Sequence, residues 1–211
     1  TERGTIRKVV DGSFCIGCGG CAVQDRKVRI ADSPIGLPQA SFSGSLAVTT
    51  DAVCPFAAPL SEDDISEGVF KDAPRFDPRV GRFVGSYVGH VSDDGARERS
   101  SSGGMVSWLL ARLLERGEID GVIHVGRAPG GGYRYLVSET FDDIAANAKS
   151  RYYPVHFEEA LRSVLGSGKR YAFVGVPCFV KAVRLLSIEN EAVRDAVRYC
   201  VAIFCGHMKT T

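Results

Sequence analysis

Three cysteines at even spacing, Cys15-x2-Cys18-x2-Cys21, with a fourth further along at Cys54-Pro55, constrain this chain more than any other feature. A cubane cluster needs four thiolates converging on one small volume, and a C-x2-C-x2-C loop supplies three of them from a single tight turn. Gly17, Gly19 and Gly20 relax the backbone where such a loop must curl. In two-cluster ferredoxins the run continues C-x3-C-P and that fourth cysteine serves the other cluster. Here Ala22 to Asp25 contain no cysteine, so Cys54, with the same Cys-Pro signature, is the natural fourth ligand. The spacing therefore predicts a 4Fe-4S cluster. A four-cysteine zinc site is the competing reading, although zinc is usually held by two separated C-x2-C pairs.

The rest of the composition is that of an ordinary globular chain. At 211 residues there is material for one sizeable core and a small appended module. A formal net charge of +1, with both signs interspersed, offers no long-range field for nucleic acid or a membrane surface. Seven cysteines, an odd number, point to metal or catalytic use in a reducing cytoplasm rather than a disulfide framework. The N-terminus lacks a hydrophobic signal core, and the most apolar run, 105–114, is too short to span a bilayer and contains Arg112.

The pattern divides the chain into a cluster module over 1–60, a linker over 61–80 and an α/β domain over 81–211. The module is expected to be ferredoxin-like, folded around its metal, with a short strand at 27–30 between the ligand groups. Strands are expected at 83–91, 119–125, 133–137, 171–176 and 200–204. Helices are expected at 105–116, 140–148, 157–165, 180–186 and 191–197, from apolar spacing such as Val106, Leu109, Leu110, Leu113 and Leu114. The first strand, the 105–116 helix and the 119–125 strand would form a β-α-β unit. This alternation implies a mixed, partly parallel sheet flanked by helices.

Several stretches of the α/β domain carry chemistry. Ser101, Ser102, Gly103 and Gly104 precede a helix, where free amides and the dipole suit a phosphate; the plainer reading is that a serine merely caps the helix. Ser150, Arg151 and Tyr152 combine a hydroxyl, a cation and a ring, as would suit a flat anionic cofactor or a polar helix end. Gly175, Val176, Pro177 and Cys178 run from a strand into a helix, where ligands of open α/β sheets collect. Cys205, in Phe204-Cys205-Gly206-His207, closes another strand in the same way. Isolated cysteines are often small buried apolar residues; Cys200, mid-strand, is read as core, and His90 and His124 as structural. His156 and His207 lie in loops near these stretches.

In this order, Cys-x2-Cys-Gly-x-Cys, Cys-Pro, Ser101-Ser102-Gly103-Gly104-Met105, Ser150-Arg151-Tyr152, Phe173-Val174-Gly175-Val176-Pro177-Cys178 and Phe204-Cys205-Gly206-His207 resemble the family of coenzyme F-420 hydrogenase/dehydrogenase beta subunits. That family includes hydroxymethyl-chlorophyll a reductase. The resemblance implies FAD alongside 4Fe-4S clusters, with the Ser101–Gly104 loop on flavin phosphate and Ser150, Arg151 and Tyr152 contacting the flavin. It also implies that Cys178 and Cys205 join a downstream C-x2-C pair in a second cluster. The sequence stops at Thr211 without that pair, so the second cluster is incomplete here and a fragment is expected.

The expectation is an FAD-dependent iron–sulfur oxidoreductase. It would pass electrons between ferredoxin, or another redox-partner subunit, and a small organic two-electron substrate such as a deazaflavin. A relay subunit without its own chemistry and a zinc-stabilised binding module are the alternatives. No general acid is legible, and homo-oligomerisation is left open.

Overall fold

The computed structural model describes residues 5–206, so His207 lies outside the described residues. The N-terminal third is built from short pieces. Helices α1 (Ile6–Asp11) and α2 (Gly20–Gln24) precede a hairpin of β1 (Val28–Asp32) and β2 (Pro38–Phe42), and α3 (Val48–Ala52) follows.

The stretch expected as a linker is folded. Helix α4 (Glu62–Val69) starts at a capping box in which Ser61 and Asp64 satisfy each other's backbone amides. Its Ile65 is buried, and Glu62 pairs with Lys181 at 2.9 Å. A small hairpin of β3 (Arg75–Asp77) and β4 (Gly81–Phe83) comes next. The strand expected over 83–91 ends at Phe83, and the chain beyond it is irregular, with Tyr87 and Val88 fully open to solvent. Gly85 and Gly89 interrupt the run, and no strand lies beside it to take its backbone groups among the described residues. Among the described residues there is accordingly no β-α-β unit ahead of residue 119.

Helices α5 (Asp94–Arg99) and α6 (Met105–Glu115) lead into the main sheet. Its strands are β5 (Gly121–Arg127), β6 (Tyr133–Ser138), β7 (Tyr171–Gly175) and β8 (Val197–Ala202). Between them run α7 (Phe141–Ala146), α8 (Glu158–Val164), α9 (Pro177–Glu189) and α10 (Glu191–Ala196). The order is β6-β5-β7-β8, with β6 antiparallel to β5 and the β5–β7 and β7–β8 pairs parallel. The expected mixed, partly parallel sheet flanked by helices is thus the architecture observed.

Alternation along the strands assigns each face a core. Val122 and Ala172 join Leu110 of α6 and Ile144 of α7 on one side. Ile123 and Phe173 join Phe157, Leu161, Ala182 and Leu186 on the other. This second core continues without a break into Ile6, Cys18, Cys21, Val28 and Val53, so the cysteine segment rests directly on α8 and α9. Among the described residues, no helix is long and apolar enough to cross a membrane.

A four-cysteine cavity as candidate metal centre

Cys15, Cys18, Cys21 and Cys54 line one small cavity of about 20 Å³. The other side chains in its wall are apolar: Ile6, Val9, Ile16, Ile30, Pro55 and Phe56. Backbone conformation explains the glycines of the loop. Gly17 and Gly19 adopt φ of 62° and 93°, the left-handed region that side chains resist. A Cβ on Gly17 would lie 2.2 Å from the Pro38 carbonyl oxygen, so β2 leaves room for nothing larger.

Ala40 N–H donates to Cys15 Sγ at 3.5 Å. At the other sulfurs nearby amides, Gly20 at Cys18, Ala22 at Cys21, and Phe56 and Ala57 at Cys54, work against the cost of burying a thiolate. Such N–H···S bonds stabilise thiolates and tune clusters. Without a cation the thiols stay protonated: burial pushes the Cys18 thiol up to about 12, and raises Cys21 and Cys54 in the same way. Metal binding must therefore expel protons from this cavity. Among the described residues, no three His, Cys, Asp or Glu side chains are already drawn together as a metal-ion site. In number, softness and N–H support the donors nevertheless fit a four-thiolate cluster, and no carboxylate or imidazole in the wall competes with them.

Cys178 stands at the start of α9, half-buried and packed on the core that also contains Cys18. Cys205 is exposed beyond β8. Cys200 is half-buried against the core.

The serine loop lies between two helices rather than after a strand. No side chain caps α6; Gly104 occupies its N-cap with φ 76°. Ser101 Oγ instead accepts the Ser150 amide at 2.8 Å, which joins two stretches far apart in sequence. Gly103 is required by packing, since its Cβ would sit 2.9 Å from the Gly89 carbonyl oxygen. The Arg151 guanidinium donates to the Ala148 and Ser150 carbonyls and lies 5.0 Å from the centre of the Tyr133 ring. Its Nε is buried without a partner. Tyr152 is exposed beside Gly206, while Gly175 accepts the Ile203 amide at 2.9 Å and Pro177 opens α9. The stretches carrying Ser101, Ser150, Tyr152 and Gly206 therefore come together, while Gly175 and Pro177 sit where β7 runs into α9, beside Ile203.

A second cavity, about 580 Å³, was not anticipated in the sequence. Asp32, Pro38, Tyr133, Tyr153, His156 and Glu159 are among its lining residues. Tyr133 and Tyr153 stack at 4.9 Å, and the buried His156 Nδ1 lacks a partner. Pro38 touches Gly17 and His156 lies beside Gly19, so this cavity shares walls with the cysteine loop. His124, by contrast, is the structural histidine expected: its Nε2 is 2.8 Å from Ser138 Oγ inside the sheet. His90 is exposed and outside any strand.

Residues 86–162 match the N-terminal family of the coenzyme F420 hydrogenase/dehydrogenase beta subunit, and 168–211 match its C-terminal family. The chain belongs to this family of beta subunits. It is 24% identical over 212 residues to one subunit of the F(420)H(2) dehydrogenase of Methanosarcina mazei, covering 95% of this chain and 55% of that protein. A 118-residue stretch is 31% identical to the coenzyme F420-dependent sulfite reductase of Methanocaldococcus jannaschii, covering 49% of this chain and 19% of the relative. Among solved structures, a chain of the F420-reducing [NiFe] hydrogenase complex from Methanosarcina barkeri aligns with a TM-score of 0.53 and 26% identity. That alignment covers 62% of this chain and 47% of the other. The chain thus spans about half the length of the first of these relatives, and the proteins it resembles are redox proteins by name.

Proposed function

We propose that the chain is the electron-handling part of an iron–sulfur flavoprotein oxidoreductase. In this reading Cys15, Cys18, Cys21 and Cys54 hold a 4Fe-4S cluster, and the observation that carries it is the apolar cavity lined by all four. Ser101, Ser102, Gly103, Gly104, Ser150, Arg151, Tyr152, Gly175 and Pro177 hold FAD. Support for the flavin comes from the Ser101–Ser150 junction and the unpartnered, buried Arg151 Nε, a donor waiting for an acceptor. When bound, the cluster supplies one-electron transfer and the flavin exchanges single electrons for pairs.

The chain's own residues do the rest. The Ala40 amide on Cys15 and the amides near the other three sulfurs favour the charged thiolates, and the apolar wall keeps competing ligands away. Arg151 offers positive charge where an anionic ring or phosphate would rest, and the Tyr133–Tyr153 stack gives a flat ligand an aromatic face. Cys178 and Cys205 supply two thiolates of a second cluster. The electron partner is a ferredoxin or another subunit of a redox complex, and the organic substrate is a deazaflavin; the relatives named as a dehydrogenase subunit and a hydrogenase complex support a partner subunit, and the coenzyme F420 in their names supports the deazaflavin. The setting is cytoplasmic.

The test is an anaerobic assay of the reconstituted chain with FAD, reduced ferredoxin and a deazaflavin. Reduction of the deazaflavin that depends on both added FAD and Cys54 supports the reading. Stable FAD binding without electron transfer would instead favour a relay subunit, and failure to bind FAD would remove the flavin from the account.

A further inference from the structure

We propose that Arg162 is the positioning residue of the cysteine loop, holding its Cys21 end from helix α8. The proposal rests on Cys15, Cys18, Cys21 and Cys54 being cluster ligands. It concerns what keeps them in place.

Helix α8 grips the loop at two points. At its N-terminal end the Phe157 amide donates to the Cys18 carbonyl at 3.0 Å. In its last turn Arg162 Nη2 donates to the carbonyl of Ala22, the residue after Cys21. Glu158, one turn back, fixes the guanidinium through an ion pair at 2.8 Å and is itself only 15% exposed. Between the two grips there is little slack. A Cβ on Gly19 would lie 3.1 Å from the Glu158 amide, and one on Gly20 would lie 3.4 Å from Ala182 of α9.

The Ala22 peptide is the link to the metal site. Helix α2 has five residues, so the Ala22 carbonyl falls among the last four and finds no amide within the helix. Ala22 is fully buried, so water cannot readily replace the guanidinium. Its carbonyl is held by Arg162, and its nitrogen is joined by one peptide bond to Cys21, a proposed ligand. A displacement of the Ala22 peptide therefore moves the Cys21 backbone with it. Arginine suits the position because one planar fork serves two acceptors, Ala22 and Glu158, which an ammonium meets less well. Outer partners of metal ligands commonly govern affinity by about 10- to 100-fold.

The experiment uses the full chain reconstituted with iron and sulfide, comparing wild type with Arg162→Met, Arg162→Lys and Glu158→Gln. The readouts are the rate of iron loss to a chelator and the electron paramagnetic resonance spectrum of the reduced cluster. Arg162→Met should lose iron about 10- to 100-fold faster and give a shifted spectrum. Arg162→Lys, which keeps the charge and one donor, should fall between it and wild type. Glu158→Gln should move both readouts in the same direction by less, and it decides the matter if Arg162→Met fails to fold. Wild-type iron loss and spectrum in the variants that fold would overturn the proposal, as would lowered thermal stability with an unchanged spectrum. A wild-type chain that holds no cluster would instead sink the reading on which the proposal rests.

Discussion

Gly17→Ala is the sharpest local test of how the cysteine loop is built. At φ 62° an alanine incurs the left-handed strain of about 1–2 kcal/mol. Its Cβ would also fall 2.2 Å from the Pro38 carbonyl oxygen, so the start of β2 must move by roughly an ångström, an overpacking cost of about 1–3 kcal/mol. The sum is about 2–5 kcal/mol. Gly44→Ala is the control: φ is 74°, but no atom stands within 4 Å of its Cβ, so only the strain applies. Both substitutions stiffen the unfolded chain alike, and that contribution cancels between them. At about 2–4 °C per kcal/mol for a chain of this size, Gly17→Ala should melt about 2–12 °C below Gly44→Ala. Thermal unfolding of the metal-free proteins by circular dichroism measures this, and iron content after reconstitution should fall only in Gly17→Ala. Coincident melting curves and iron contents for the two variants would refute the steric account.

Other expectations are as direct. Burial holds the His124 imidazole down at about 4 from its ordinary 6.5, so the unfolded chain binds a proton that the folded one refuses. Stability from this group is intact above pH 6.5 and is lost as pH falls toward 4, by about 1.4 kcal/mol per unit and about 3 kcal/mol in all. Denaturant titrations of His124→Gln should show a flatter pH dependence across that window; parallel curves would count against the assignment. Cys54→Ala should leave reconstituted iron well below wild type, whereas Cys200→Ala, on a half-buried residue of β8, should leave it unchanged. Arg151→Met should weaken FAD binding about tenfold or more in a fluorescence titration, from loss of a charged hydrogen-bond donor, while Tm moves by only a few degrees.

How much was legible in the sequence follows from the range of the interactions involved. Ligand spacing is local chemistry, so the convergence of Cys54 on the triplet could be anticipated and the four do share a cavity wall. Helix α6 declared itself through apolar spacing, and the parallel part of the sheet through the alternation of strands and helices. Residues 83–91 misled because they are rich in valine and aromatic residues, which favour strands, yet pairing needs a neighbour that the described fold does not supply. Residues 61–80 looked like a linker because acidic and proline-rich composition hides a capping box and one buried isoleucine. Composition also suggested a separate cysteine module, whereas Cys18 and Cys21 share a core with Phe157 and Phe173. The grip of Phe157 and Arg162 on the loop links residues more than a hundred positions apart, and no local pattern announces it. The second cavity escaped for the same reason, since its walls come from the β1–β2 hairpin, from β6 and from the stretch leading into α8.

The central claim is that Cys15, Cys18, Cys21 and Cys54 hold a cubane cluster, and metal analysis of anaerobically prepared protein addresses it most directly. The account predicts a brown protein with about four iron and four sulfide per chain, both falling well below that in Cys54→Ala. A colourless protein with one zinc per chain and no sulfide would contradict it.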